Sequence, residues 1–417
     1  MDYLSLIKMQ DENKIALIVD DEIFTYRKLA KRASAIREQS LKDDGKNKRA
    51  IFIYEDSISV QLIEFLAYSG TPIVPIIATK VSKQQNFSAM IENIPKRACM
   101  GVMTSGSTGK SKLLWRNYHS WADFFPEQNR IFNLNSSSVI FCQGSLAFTG
   151  NLNIYLGVLS IGATVVASDN FRPKMWLNLI DKYKVNSMYL IPTKLLLLLK
   201  FTKKENPQIK TIVSGSQSLG KREADKIKQI YTRATITLYY GASELNYITY
   251  IKDDKMTEDR LIVGKPFKNV ELSLKNEEIF VKTPYAIEGI EMPFSLKDKG
   301  CIDEEGNLHF LGRTDDIYNV NGIKISSYKV ENVLKKVLDT EDIAIKLFRQ
   351  DNSDFIVAFI ASSKRKAKTE LINTLKVYLT EFEIPKKFIY ITSLPKNESG
   401  KIDKIKLLSI YQKTLTQ

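Results

Sequence analysis

Apolar positions along this chain alternate between two rhythms. An amphipathic stretch over residues 26–38 predicts a helix; the apolar run AIFIY at 50–54 predicts a strand. A second helix-like segment follows, then the apolar run PIVPII at 72–77. The same alternation continues through 164–167, 187–191, 211–213 and 236–238, each short, apolar or β-branched and separated by helix-length segments. Such punctuation predicts an α/β fold of doubly wound sheets. The five leucines at 195–199 form a run far too short to span a bilayer, and Lys194 and Lys200 bracket it. They predict a buried helix.

From Gly264 the units shorten to strand and turn, as in KNVELSLKNEEIFVKTP, and end in DEEGNLHFLGR, where Glu305-Gly306-Asn307 turns one strand into the next. This predicts a β-rich subdomain. After Arg313 and Asp315 comes a lysine-rich segment with a helix carrying Val330, Val333, Leu334 and Val337 at helical spacing. Strands at 343–348 and 355–362, another helix and a strand at 388–394 follow, which reads as a small α+β domain. The expected division is 1–312 and 313–417. A chain of 417 residues, 44% of them hydrophobic, is long enough for two cores.

Composition narrows the chemistry. The net charge is +14, yet the lysines are spread along the chain rather than gathered with aromatics into one basic block, so a nucleic-acid partner is not expected. A diffuse positive field suits polyanionic small molecules or an acidic protein. Only His119 and His309 are present, which leaves Ser-His-Asp hydrolysis and multi-histidine metal sites hard to build. Cys99, Cys142 and Cys301 are odd in number and widely spaced, so they suggest neither a disulfide framework nor a zinc site. The first residues, MDYLSLIKMQDENK, lack an apolar targeting core and no run of about 18 apolar residues occurs, so a cytoplasmic protein without a membrane span is expected.

The sharpest local signal is TSGSTGKSK at 104–112, directly after the apolar segment 98–103. Small residues let a backbone curl around phosphate oxygens, hydroxyls add donors, and Lys112 supplies a mobile positive charge. The Walker A loop is the rival, since Gly109-Lys110-Ser111 matches its end, but the earlier glycine it requires falls on Thr104. Three further motifs follow in order. They are YGASE at 240–244, GRTDD at 312–316 with NGIKI at 321–325, and PKNESGK at 395–401.

Together these motifs resemble the acyl-adenylate-forming (AMP-binding) superfamily, which includes acyl-CoA synthetases, aryl-CoA ligases and carrier-protein adenylation domains. The chain looks like a shortened member, and the resemblance covers nearly all of it. It implies a large N-terminal domain of doubly wound sheets with a β-rich subdomain, and a small mobile C-terminal domain hinged near Asp315. The reaction it implies is ATP-dependent activation of a carboxylic acid to acyl-AMP with release of pyrophosphate. Transfer to the thiol of coenzyme A is the expected second step; loading of a phosphopantetheine carrier protein, or non-catalytic nucleotide binding, are the alternatives.

The resemblance also implies roles. Thr104, Ser105, Gly106, Ser107, Thr108, Gly109 and Lys112 would form the phosphate loop. Gly215, Ser216 and Gln217 would let backbone approach adenine, against which Tyr240 and Gly241 would pack. Ser243 and Glu244 would reach the phosphates and Mg²⁺, a hard ion suited to carboxylate oxygen. Asp298 and Arg313 would bind the ribose, and Lys401 would carry adenylation by holding fixed positive charge against charge developing on the α-phosphate. Gly322 and Lys324 would approach the thiol; family members often carry lysine where Asn319 stands and arginine where Lys324 stands. Amino-acid-activating relatives place an aspartate where this chain has Thr149, so an acid without an amine is favoured, with Phe148, Leu146 and Tyr155 as an apolar wall.

Overall fold

The computed structural model describes residues 2–43, 48–79, 87, 91–104, 112–202, 204–258, 260–320, 323–340, 342–350, 353–362, 365–396, 402–403 and 406–415. The chain forms two compact units. One comprises Met1–Met256, Gly264–Glu271 and Val281–Phe294; the other comprises Thr257–Val263, Leu272–Phe280 and Ser295–Gln417. The boundary expected at 312–313 lies within the second, at the end of the strand Leu308–Arg313.

The first unit opens with the helix Tyr3–Lys8, followed by the hairpin β1 (Ile15–Val19) and β2 (Glu22–Thr25), and the helix Tyr26–Asp43 covers the segment expected to be helical. Four strands then build a small sheet: β3 (Arg49–Ile53), β4 (Ile73–Ile77), β5 (Met100–Thr104) and β6 (Lys112–Arg116), paired in that order. The first three are parallel and β6 returns antiparallel. The main sheet takes β7 (Val139–Gln143), β8 (Thr164–Ser168), β9 (Ser187–Tyr189), β10 (Thr211–Gly215), β11 (Thr235–Ala242) and β12 (Asn246–Lys252).

Within this unit the main sheet runs β12-β11-β10-β9-β7-β8-β1-β2. Every pair from β11 to β1 is parallel, and β12 and β2 are antiparallel to their neighbours. Parallel strands need crossover connections, which the helices Thr149–Leu159, Pro173–Lys182, Pro192–Leu199 and Lys221–Ile230 supply. Burial on both faces explains why β4, β8 and β10 are buried at every position and read as apolar runs rather than as alternation.

Two sequence expectations are corrected in detail. The strand expected over 187–191 stops at Tyr189, because Pro192 opens the next helix and Ile191 takes the extended conformation of its cap. Of the leucine run only Leu195 and Leu198 are fully buried, one helical turn apart, and the other three are half-buried. Among the described residues no helix is long and apolar enough to cross a membrane.

The second unit contains part of the β-rich stretch and the expected α+β end. The strand Phe294–Ile302 pairs antiparallel with Leu308–Arg313, and Gly306 sits between them at φ +82. The hairpin Ile317–Val320 with Ile323–Ser326 leads into the helix Ser327–Leu338, whose start is capped by Ser326 Oγ accepting from the Lys329 amide. The same hydroxyl donates to the Leu311 carbonyl at 2.7 Å. Ile343–Gln350 and Ser353–Ala361 pair antiparallel; the helix Lys368–Leu375 then crosses over so that Lys387–Ile391 joins in parallel. Val330, Leu334 and Leu338 point from the helix into a core with Ile345, Ile356 and Leu375.

Leu334 is fully buried in that core. Leu334→Ala is expected to cost about 2–5 kcal/mol through lost transfer energy and the cavity left behind. Urea unfolding followed by circular dichroism should show a midpoint shifted to lower denaturant; an unchanged midpoint would mean that this core does not limit stability.

Candidate active site

Because β7, β9, β10 and β11 run parallel, their carboxyl ends lie along one edge of the sheet. Four segments leave from that edge: 144–150 after β7, Pro192 to Lys194 after β9, Gly215 to Gln217 at the end of β10, and Tyr240 to Glu244 at the end of β11. Open α/β sheets bind ligands outside the carboxyl ends of their strands.

Local packing explains the small residues. Gly215 lies opposite Tyr239, and a Cβ on it would fall 2.3 Å from the tyrosine ring. Glycine therefore lets Tyr239 lie flat against the end of β10, with its hydroxyl 2.7 Å from that of Tyr189. Ser216 turns the chain with a left-handed φ of +65, and Gln217 Oε1 accepts from the Thr193 amide at 3.1 Å. At Gly241 the pairing of β11 with β12 slips by a bulge, and a Cβ there would meet the Asn246 carbonyl at 2.6 Å. Tyr240 before the bulge and Ser243 and Glu244 past it are half-buried. The Thr149 and Ser243 hydroxyls lie 3.0 Å apart, which ties the 144–150 loop to the YGASE segment. Leu146 and Tyr155 are fully buried, so of the expected apolar wall only Phe148 keeps exposed surface.

Thr104 and Lys112 are cross-strand partners at the end of the β5–β6 pair that flanks 105–111, with Lys112 exposed. Ser105, Gly106, Ser107, Thr108 and Gly109 lie outside the described residues. The described chain resumes at Lys112 in strand β6, whereas a Walker A loop runs into a helix, so the rival reading fails on topology as well as on Thr104.

A residue that sequence reasoning missed stands at the far end of this hairpin. Arg116 is fully buried and donates to the Ser243 carbonyl at 2.5 Å, the Tyr285 carbonyl at 3.0 Å and Ser120 Oγ at 3.2 Å. Burial pushes its guanidinium down to about 10, opposed by Tyr3 and by the nearby Glu244 carboxylate. It stays charged at neutral pH. Glu244 is held from its other side, its carbonyl accepting from the Ile287 amide at 2.9 Å. Nothing in the sequence singles Arg116 out, and only its burial reveals it.

In the second unit Asp298 and Arg313 sit opposite each other on paired strands, Nε to Oδ1 3.4 Å, with the Asp298 side chain 2% exposed. Gly312 takes a φ of +119, and a Cβ on it would press on Ser326 Oγ at 3.3 Å. Asp315 lies in the single turn Thr314–Asp316. Asn319 and Lys324 are direct cross-strand partners and both are exposed. Gly322 and Lys401 lie outside the described residues.

The family model for AMP-binding enzymes matches residues 69–284, more than half of the chain. The chain belongs to the AMP-binding enzyme family. It is 26% identical to the uncharacterized acyl-CoA ligase YhfT of Bacillus subtilis, over 72% of this chain and 66% of that protein. It is 22% identical to the D-alanine–D-alanyl carrier protein ligase of Lactococcus lactis, over 95% of this chain and 96% of that protein. Among solved structures, the o-succinylbenzoate coenzyme A synthetase MenE from Bacillus subtilis, in complex with ATP and magnesium ion, shares the fold. The TM-score is 0.82 at 18% identity, over 98% of this chain and 99% of that one.

For an AMP-binding enzyme the chemistry of the metal site is informative. Among the described residues no cluster of three or more His, Cys, Asp or Glu could hold a metal alone. A single carboxylate with substrate phosphates is how Mg²⁺ is commonly held, and the half-buried Glu244 fits that use. Replacing Arg116 by Met removes the donors to the Ser243 and Tyr285 carbonyls, and each orphaned group costs about 1–3 kcal/mol. Arg116→Met is expected to lower the thermal midpoint and to raise the KM for ATP several-fold, because the YGASE turn loses its anchor. Differential scanning fluorimetry with an ATP titration checks both; an unchanged KM in a folded variant would make Arg116 a purely architectural residue.

Proposed function

We propose that this AMP-binding enzyme activates a carboxylic acid as acyl-AMP and passes the acyl group to the thiol of coenzyme A. The observation that carries the reading is the gathering of the 144–150, 215–217 and 240–244 segments at one sheet edge, joined by the Thr149–Ser243 contact. In the first step a carboxylate oxygen attacks the α-phosphorus of ATP, the bond to the bridging oxygen breaks, and pyrophosphate leaves. A carboxylate is already a nucleophile at neutral pH, so no base is needed. In the second step a thiolate attacks the acyl carbon and AMP leaves.

The roles follow the motifs. Tyr240 and Gly241 face adenine beside Gly215, Ser216 and Gln217; Asp298 and Arg313 take the ribose; the 104–109 loop and Lys112 take the phosphates. Glu244 would hold Mg²⁺, which would supply neutralisation of phosphate charge, and Lys401 stabilises charge on the α-phosphate. Swinging of 313–417 at Asp315 exchanges Lys401 for the thiol site near Gly322 and Lys324. The reading places the enzyme in the cytoplasm, where both ATP and coenzyme A are available. A carrier-protein thiol is the second reading, favoured by the carrier protein ligase relative and by a net charge of +14 that would attract an acidic carrier.

Pyrophosphate release screened across fatty, aryl and amino acids, with and without coenzyme A, tests the activity. Acid-dependent release is the expected result, with thioester appearing when coenzyme A is present. Release that needs an acidic carrier would favour the second reading, and ATP binding without release from any acid would overturn both. Lys401→Ala should lose about 10²–10³ of the adenylation rate yet still form thioester from supplied acyl-AMP, because an interaction made in one transition state affects only that step. Equal loss in both half-reactions would sink the exchange of sites. Glu244→Gln should raise the Mg²⁺ concentration needed for half-maximal rate, and an unchanged titration would remove Glu244 from the metal site.

A further inference from the structure

One charged side chain at the sheet edge has no part in the steps above. Lys194 lies in the first turn of the helix Pro192–Leu199, and its Nζ donates to the carbonyl of Gln143, the last residue of β7, at 2.9 Å. An ammonium in the first turn of a helix faces the positive end of the backbone dipoles, so this placement is not favoured by the helix itself. The side chain is largely withdrawn from water, and burial pushes its ammonium down to about 8. Among the described residues no carboxylate pairs with it. A half-buried ammonium with one carbonyl partner keeps donors to spare, and an arriving anion would compensate its charge.

A second donor points to the same place. Asn151 Nδ2 donates to the Ser145 carbonyl at 3.0 Å and, like Lys194 Nζ, lies against Gly144. A Cβ on Gly144 would fall 2.7 Å from the Asn151 nitrogen and 3.3 Å from the Lys194 nitrogen, and its φ of +130 also demands glycine. Two side-chain donors from different helices thus converge where the 144–150 loop begins. That loop ends at Thr149, beside Ser243. Its first half is fixed from below, since the buried Gln61 accepts from the Leu146 amide at 2.9 Å and donates to Ser145 Oγ at 3.0 Å.

Resting on the adenylation reading, we propose that Lys194, with Asn151 beside it, binds a second negative charge on the acid, so that the enzyme selects dicarboxylates over monocarboxylates. The reacting carboxylate faces the Thr149–Ser243 end of the loop, and the distal carboxylate meets the ammonium at the Gly144 end. A charge-assisted hydrogen bond of this kind gives discrimination of roughly 10–100-fold.

The test is pyrophosphate release with matched pairs: succinate against butyrate, glutarate against pentanoate, and phthalate against benzoate. These are run on the whole protein, on Lys194→Met and on Lys194→Arg. The expected result is a preference of roughly tenfold or more for at least one dicarboxylate. Lys194→Met should raise the KM for that acid while leaving the KM of its monocarboxylate partner unchanged, and Lys194→Arg should keep most of the preference. Release from monocarboxylates with no dicarboxylate preferred overturns the role of Lys194 and leaves adenylation standing. A Lys194→Met variant that weakens both members of a pair equally also overturns it, because the lysine would then only brace Gln143. No release from any acid overturns the adenylation reading and this proposal with it.

Discussion

The first unit is organised around a charge taken out of water. Burying the Arg116 guanidinium is tolerable only because carbonyls from two distant segments and the Ser120 hydroxyl close around it. Those partners belong to the turn after β11 and to the segment at 285, while the arginine itself ends the hairpin that carries the phosphate-loop sequence. The demand for compensation therefore fixes three pieces of chain relative to one another without any ligand. It also places a positive charge near the Glu244 carboxylate, which in turn favours the charged form of the arginine.

Around that anchor the sheet does the positioning. Parallel strands deliver their loops to one edge, and two glycines decide how closely those loops approach. Gly215 admits the Tyr239 ring against the end of β10, and Gly241 allows the bulge that redirects the chain before Ser243. Each is required by a specific neighbour, a tyrosine ring in one case and the Asn246 carbonyl in the other. Larger residues at either position would displace the groups that line the edge.

Much of this was legible in the sequence, and the reasons are physical. Strands buried on both faces give uninterrupted apolar runs, so β4, β8 and β10 stood out, and the helix Ser327–Leu338 showed its buried stripe at the right spacing. Motif order identified the segments that the first unit assembles at one edge. What stayed hidden were residues whose importance lies in three-dimensional environment rather than type. Nothing in the sequence marks Arg116, and Lys194 reads as a bracket to a leucine run; only their surroundings and partners distinguish them from the other basic residues of a chain with 61 lysines and arginines. The bulge at Gly241 was equally invisible, because a one-residue slip in pairing leaves no periodic trace.

The hydroxyl of Ser326 holds two bonds with different fates. As acceptor from Lys329 it caps its own helix; as donor to Leu311 it reaches back across the turn that contains Asp315. A swing about Asp315 would carry the helix away from Leu311 but take the cap along. The helix start would survive each swing intact, and the donor bond would be exchanged for water at a cost near 0.5–1.5 kcal/mol. A latch of that strength behaves as a detent. In the proposed swing it would mark a resting position without choosing between positions, because so little is lost when it breaks.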